Sequence, residues 1–243
     1  LLEGWTVKLN SKDRASLRFE AIDALETHYQ GTRQPFEYAN AATDRLLELA
    51  DIKNVRWSPN RTQIISALDG TRGYIVSRAT EKNRRPVAFV FPGETDLADG
   101  QQVFLKPEML TSSFNYQLAI EGLVYPTFYE SLFYDLRQKI TEAVREARQQ
   151  KAGLWQVDKT MTGIEITSLS KLEEKGVILP KLFRRLVEWF KANSDQTFLE
   201  FIKDRDRLIN LQTMNFTHFD SEIDVSGDRI KLKTEPENLV FRP

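Results

Sequence analysis

Apolar and polar residues alternate in period two from Trp5 to Leu9 and again from Ser16 to Ile22, with Asn10, Ser11, Lys12 and Asp13 between the two runs. Such alternation gives a strand one apolar face, and two runs around a polar turn predict a hairpin. Beyond Gly31 the spacing lengthens. Phe36, Ala39, Thr43, Leu46, Leu47 and Ala50 recur at helical intervals behind Pro35, which predicts a helix ending near Asp51. Strands are expected at 62–68, 73–78 and 86–91, the last stopped by Pro92 and Gly93. Ser112 or Ser113 is placed to cap a short helix closed by Gly122. The clearest periodic segment is 128–151, where Phe133, Leu136, Ile140, Ala143, Val144 and Ala147 fall at helical spacing, Gly153 supplies the stop, and Trp155 is expected to be buried just beyond.

After Trp155 the pattern changes. Asp158, Thr160, Thr162 and Gly163 read as a linker, and Ser170 with Glu173 as a capping box for a short helix ended by Gly176. Pro180 opens a helix bearing Leu182, Phe183, Leu186, Val187 and Phe190, Asp195 caps a third with Phe198, Phe201 and Ile202, and two short strands flank Gly227. The aromatic residues in this stretch read as its own core, since a unit so small needs its large side chains inside. The expectation is therefore two units: residues 1–158, and a mostly helical module over 159–243.

Composition narrows the functional classes. At 243 residues, 41% hydrophobic and 28% charged, the chain is globular in type, and no apolar run approaches the roughly 20 residues that span a bilayer. Cysteine is absent and only His28 and His218 occur, which excludes disulfides, thiol nucleophiles and the common Cys/His zinc sites. A net charge of -1 does not mark a nucleic-acid binder, so that function would need local clustering. One cluster exists: Lys53, Arg56, Arg61, Arg72, Arg78, Lys82, Arg84 and Arg85 stand against Asp69 and Glu81 within 53–91. It is either a phosphate-facing surface or an ordinary solvated sheet face. After Met161 the charges balance, 13 basic to 14 acidic.

The segment from Leu17 to Thr27 places Arg18 shortly before Asp23 and Glu26. Phosphodiester hydrolysis calls for such a set: a cation to neutralise the transition state, a carboxylate to activate water and a second to hold a divalent ion. A strand-end ion pair would use the same residues. The surrounding motifs favour the first reading. Glu3-Gly4-Trp5-Thr6, Arg18 with Ile22-Asp23-Ala24-Leu25-Glu26, Arg84-Arg85-Pro86-Val87-Ala88-Phe89, Glu121-Gly122-Leu123 followed by aromatics, and Lys151-Ala152-Gly153-Leu154-Trp155 occur in this order.

In these motifs, residues 1 to about 155 resemble the staphylococcal nuclease (thermonuclease) family. The resemblance implies a five-stranded OB-type β-barrel with flanking helices, making the whole chain α+β, and a phosphodiesterase cleaving DNA and RNA with little sequence preference. It implies Arg18 and Arg85 as catalytic, phosphate-binding arginines and Glu26 as general base. Asp23 becomes a calcium ligand, with Glu3 as the first acid of the family's metal-binding turn. Lys82, Arg84, Tyr125 and Tyr129 become substrate contacts. Trp5 stands where the family's turn has a calcium-binding aspartate, so Ca²⁺ is expected to bind weakly or not at all; Asp13 and Asp99 are the candidate replacements. Asn83-Arg84 replaces a Tyr-Gly pair, so either Arg84 or Arg85 is the functional arginine. Export is the localisation that the family implies. The rival expectations are an OB module that binds nucleic acid without cutting it, and a scaffold that engages a protein through residues 159–243.

Overall fold

The computed structural model describes residues 2–242. The first half runs β1 (Glu3–Gly4), β2 (Arg18–Phe19), β3 (Ile22–Ala24), α1 (Phe36–Leu49), β4 (Lys53–Trp57), β5 (Ile64–Leu68), β6 (Gly73–Thr80) and β7 (Pro86–Pro92). It continues with α2 (Phe114–Ile120), β8 (Val124–Pro126), β9 (Phe128–Tyr129) and α3 (Tyr134–Gln149). The fold is mixed α+β. A four-stranded sheet takes the order β1-β6-β7-β2, with β6 and β7 antiparallel and both outer strands parallel to their neighbours. β3 pairs with β8, and β4 with β5. Among the described residues these pairings leave each sheet open.

Where local signals were strong, the elements form as expected. Ser113 caps α2 by accepting the Tyr116 N–H, and α3 buries Leu136, Ile140, Ala143, Val144 and Ala147, with Trp155 enclosed beyond it. The last turn of this region explains its glycines. Gly122 and Gly153 have φ of 70° and 53°, and a Cβ on either would lie 2.4 or 2.3 Å from a carbonyl oxygen of the facing segment, so only glycine allows the approach.

Three expectations are corrected here. The hairpin between residues 5–9 and 16–22 is reduced to one bridge, Leu9 to Ala15, because β2 pairs with β7 and leaves Trp5 and Leu9 exposed. Helix α3 starts at Tyr134, since Phe128 and Tyr129 are drawn into a sheet; Phe133 becomes its N-cap residue and is 58% exposed rather than core. Residues beyond 158 are not mostly helical. They form β10 (Ile164–Glu165), α4 (Leu169–Lys175), α5 (Pro180–Ala192), α6 (Phe198–Ile202), β11 (Arg207–Asn210), β12 (Asn215–His218), β13 (Ile223–Ser226), β14 (Arg229–Leu232) and β15 (Leu239–Phe241). The caps shift accordingly: Ser168 rather than Ser170 caps α4, and Thr197 with Glu200, not Asp195, makes the capping box of α6.

The C-terminal strands make a three-stranded sheet, β10-β14-β13, and a four-stranded one, β12-β11-β15-β9. In the second, β15 pairs in parallel with β9, so the sheet crosses residue 158. The core crosses it too, as one cluster that includes Phe89, Tyr125 and Phe128 together with Phe183, Phe219 and Phe241. Polar contacts reinforce the seam. The Gln34 amide, fully buried, donates to the carbonyls of Gly176 and Ile178 at 2.7 and 2.8 Å. Arg148 makes two 2.8 Å bonds to the buried carboxylate of Glu237 while lying 4.5 Å over the Trp155 ring.

Asp206 anchors α5 through Arg185 at 2.5 and 2.7 Å and Lys181 at 3.2 Å. Burial opposes its charge, but these partners prevail and hold its carboxyl down at about 2 against an ordinary 3.8. Because the folded value lies below the unfolded one, the stabilisation is complete above about pH 4 and is lost as pH falls towards 2, about 2 kcal/mol in all. Urea unfolding between pH 2 and 7 should show Asp206→Asn to be less acid-sensitive than the native chain. Equal acid slopes would refute this.

Candidate functional site

Arg18, Asp23 and Glu26 gather at the ends of β2 and β3, where the chain is bent sharply. Ala21 makes the bend in the left-handed region, φ 68°, a conformation that costs a non-glycine residue roughly 1–2 kcal/mol. Its surroundings enforce it: the Glu20 carboxylate accepts the Ala21 N–H at 3.0 Å, and the Ala21 carbonyl accepts the Thr127 N–H at 3.0 Å. Buried Asn115 then ties the bend to β7, donating to the Glu20 and Ala88 carbonyls and accepting from the Val90 N–H. Glu26 is fixed through its backbone N–H, which donates to the Gln34 side chain at 3.0 Å.

The side chain between the two acids comes from α5. Arg184 donates to Asp23 at 2.7 Å and to Glu26 at 2.5 Å, and all three side chains are only about a fifth exposed. Burial works against the Arg184 charge, but Asp23 and then Glu26 outweigh it and raise its pKa. Burial also pushes the Glu26 carboxyl up, with Arg184 opposing and Asp23 adding to the rise. Arg18 donates to the Tyr129 hydroxyl at 2.9 Å; burial disfavours its charge, while Tyr129 and Asp23 favour it and leave it raised.

The remaining expected site residues lie elsewhere. Arg85 turns to Glu81 at 2.9 Å, at the start of β7. Arg84, with φ 64°, is exposed and donates to the Thr6 carbonyl at 2.9 Å, and Lys82 is exposed beside it. Tyr125 cannot meet a substrate as expected: it is fully buried beneath α3, edge-on to Trp155, and its hydroxyl donates to Asp158 at 2.5 Å. Tyr129 is half-buried and engaged with Arg18. Glu3 is exposed on β1 and paired with Arg78 at 3.3 Å rather than joined to Asp23. Among the described residues no group of three or more His, Asp or Glu side chains is set to hold a metal ion. Two carboxylates with a guanidinium between them do not offer the 6–8 oxygens that calcium takes, so this donor set does not fit the ion.

The basic cluster of 53–91 is also largely neutralised in three dimensions. Lys53 pairs with Asp51, Arg61 with Asp44, Arg72 with Glu94 and Arg78 with Glu3, acids that all lie outside the segment. Arg56, Lys82 and Arg84 are left without a carboxylate partner among the described residues.

Arg184 is the residue that sequence reasoning missed. Its one signal is the adjacent pair Arg184-Arg185 on a helix whose other positions are mostly apolar, a pattern that reads equally as a solvated face. Neighbouring contacts complete the dock of α5 on this edge: Tyr29 donates to Glu188 at 2.7 Å, and burial, then Glu188, push the Tyr29 phenol up to about 12. No protein-family model matches the chain, and no curated protein matches it.

Proposed function

We propose that the protein is a nucleic-acid-binding module on a nuclease-like OB architecture, in which the acid pair anchors the C-terminal unit instead of cleaving phosphodiesters. The observation that carries this reading is Arg184 between Asp23 and Glu26. A general base has to take a proton from a water within hydrogen-bond reach, and the Glu26 carboxylate is already committed to a 2.5 Å bond with a guanidinium. The OB barrel belongs to the same proposal. Such barrels are partly open, which is compatible with the open pairings of β1 to β8. Arg56, Lys82 and Arg84 are the cations of the 53–91 cluster left to meet phosphate.

A second reading, phosphodiester hydrolysis, is favoured by one observation: Arg18, Asp23 and Glu26 share one strand end, the set of a cation and two carboxylates that such chemistry uses. In that reading Arg18 would neutralise the phosphate, Glu26 would take the proton of an attacking water, and Arg184 would have to move aside. Nicking of supercoiled plasmid by the native chain and by Arg184→Ala, with Ca²⁺ and with EDTA, separates the two readings. Binding without nicking in both proteins supports the first. Nicking by Arg184→Ala alone supports the second, and nicking by the native chain overturns the first.

A further inference from the structure

The outer face of the sheet β12-β11-β15-β9 carries a pattern that the acid-pair site does not use. Directly opposed residues on neighbouring strands point to the same face. Arg207 on β11 is opposite His218 on β12, and Arg242, just past β15, donates its backbone N–H to the Arg207 carbonyl at 2.8 Å. His218, Arg207 and Arg242 thus form one row across three strands. Two residues along, the next row holds Phe216 opposite Ile209 and continues to Val240 and Phe128, which are buried, so this face is open only over β12 and β11. Leu208 and Asn210 alternate to the inner face and are buried, whereas Phe216 is 70% exposed on the outer one.

Together these residues border an open groove of about 370 Å³, lined by Arg207, Leu208, Phe216, Thr217, His218 and Arg242. Arg242 is shared between Glu130, at 2.7 Å, and one face of the Phe216 ring, 5.5 Å from its centroid. Arg207 has no carboxylate partner among the described residues, so its charge is left for an anion.

We infer that this face binds a single-stranded nucleic acid, with a base stacked on Phe216 and the adjoining phosphate at Arg207. A large exposed ring next to an unpaired guanidinium is chemically matched to a ligand that alternates planar rings with anionic groups. Phe216 and Arg207 are diagonal neighbours on adjacent strands, a relation that sets Cα atoms about 7–8 Å apart, within reach of one nucleotide's base and phosphate. Duplex bases are stacked inside the helix and cannot reach such a ring, so the preference is for single strands. This site is separate from the acid-pair edge and does not require the reading proposed for that edge.

The test is fluorescence anisotropy with labelled single-stranded and duplex DNA of about 16 nucleotides, the upper end of the roughly 4–16 that single-strand sites take, across a salt series. The native chain should bind the single strand more tightly than the duplex. Phe216→Ala should weaken single-strand binding roughly 5- to 150-fold, the loss of one base–aromatic stack, and Phe216→Trp should restore it. Arg207→Ala should reduce the slope of log affinity against log salt by about 0.7, the loss of one phosphate contact to a single strand. The inference is overturned if the native chain binds no single strand, or if Phe216→Ala binds like the native chain. It is also overturned if affinity depends only on Arg56 and Arg84, which would favour the barrel side. Sedimentation with phosphatidylserine vesicles that needs Phe216, without strand binding, would replace it with a membrane contact.

Discussion

A chain ended after Val157 is expected to lose cooperative folding rather than to leave an independent nuclease-like domain. Phe128, fully buried, rests in a sheet whose neighbouring strand is β15, and Phe219 packs against Phe241 at 5.7 Å between centroids on the far side of residue 158. Removing residues 158–243 takes away the partners of Gln34, Arg148, Tyr29 and the Asp23–Glu26 pair together. It also uncovers core side chains worth roughly 1.5–3 kcal/mol each. Only a few such losses exceed the 5–15 kcal/mol by which a typical domain is stable. The shortened chain should show no sharp thermal transition by circular dichroism and should expose apolar surface to a hydrophobic dye. A cooperative transition close to that of the full chain would show that the seam contributes little.

The second large effect is expected at Arg184. Breaking a buried pair by removing one partner leaves uncompensated charge and costs about 3–5 kcal/mol. Here partial exposure of all three side chains favours the lower end. The loss should depend on pH, with a definite sign. Without the guanidinium, Glu26 loses the charge that opposes its burial and keeps the repulsion of Asp23, so its folded-state pKa rises further above the unfolded one. Arg184→Ala should therefore be destabilised most at pH 7–8 and recover as pH falls towards about 4, where the Glu26 carboxylate takes up a proton. Arg184→Lys, which keeps the charge but cannot bridge two carboxylates with separate nitrogens, should fall between. Urea unfolding at pH 5 and pH 8 measures this. A pH-independent loss below about 0.5 kcal/mol, the range of an ordinary exposed pair, would mean that Arg184 is only a surface contact.

How far the molecule could be read from its sequence depended on the reach of each signal. Helices α1, α2, α3 and α5 were legible because their boundary signals, Pro35, Ser113, Gly153 and Pro180, and their apolar periods lie within one segment. The error at the start of α3 is instructive: Phe128 and Tyr129 fit the helical period, but pairing with β15 prevails over local preference. After residue 158 the pair of strands flanking Gly227 was legible from its turn, whereas β10, β11, β12 and β15 are two to four residues long, as in Arg207–Asn210, too short for a period of two to stand out. Arg18, Asp23 and Glu26 were legible as a set since they are neighbours in sequence. Arg184 is 161 positions from Asp23 and had no motif to betray it. The same distance misled the reading of charge: the excess of 53–91 is offset by Glu3, Asp44, Asp51 and Glu94, none of which a window over that segment contains.

The parallel pairing of β9 with β15 also bears on how the protein is made. Glu130 and Arg242, bonded beside those strands, are 112 residues apart in the chain. At the usual rate of about 5–20 residues per second, the ribosome takes on the order of 6–20 s to supply the second after the first. Throughout that interval Phe128, Tyr125 and the inner face of α3 wait with an incomplete covering. Nascent-chain folding should thus be a late, all-at-once event for this protein, and its greatest exposure to aggregation and to chaperones should come while residues 130–240 are being translated.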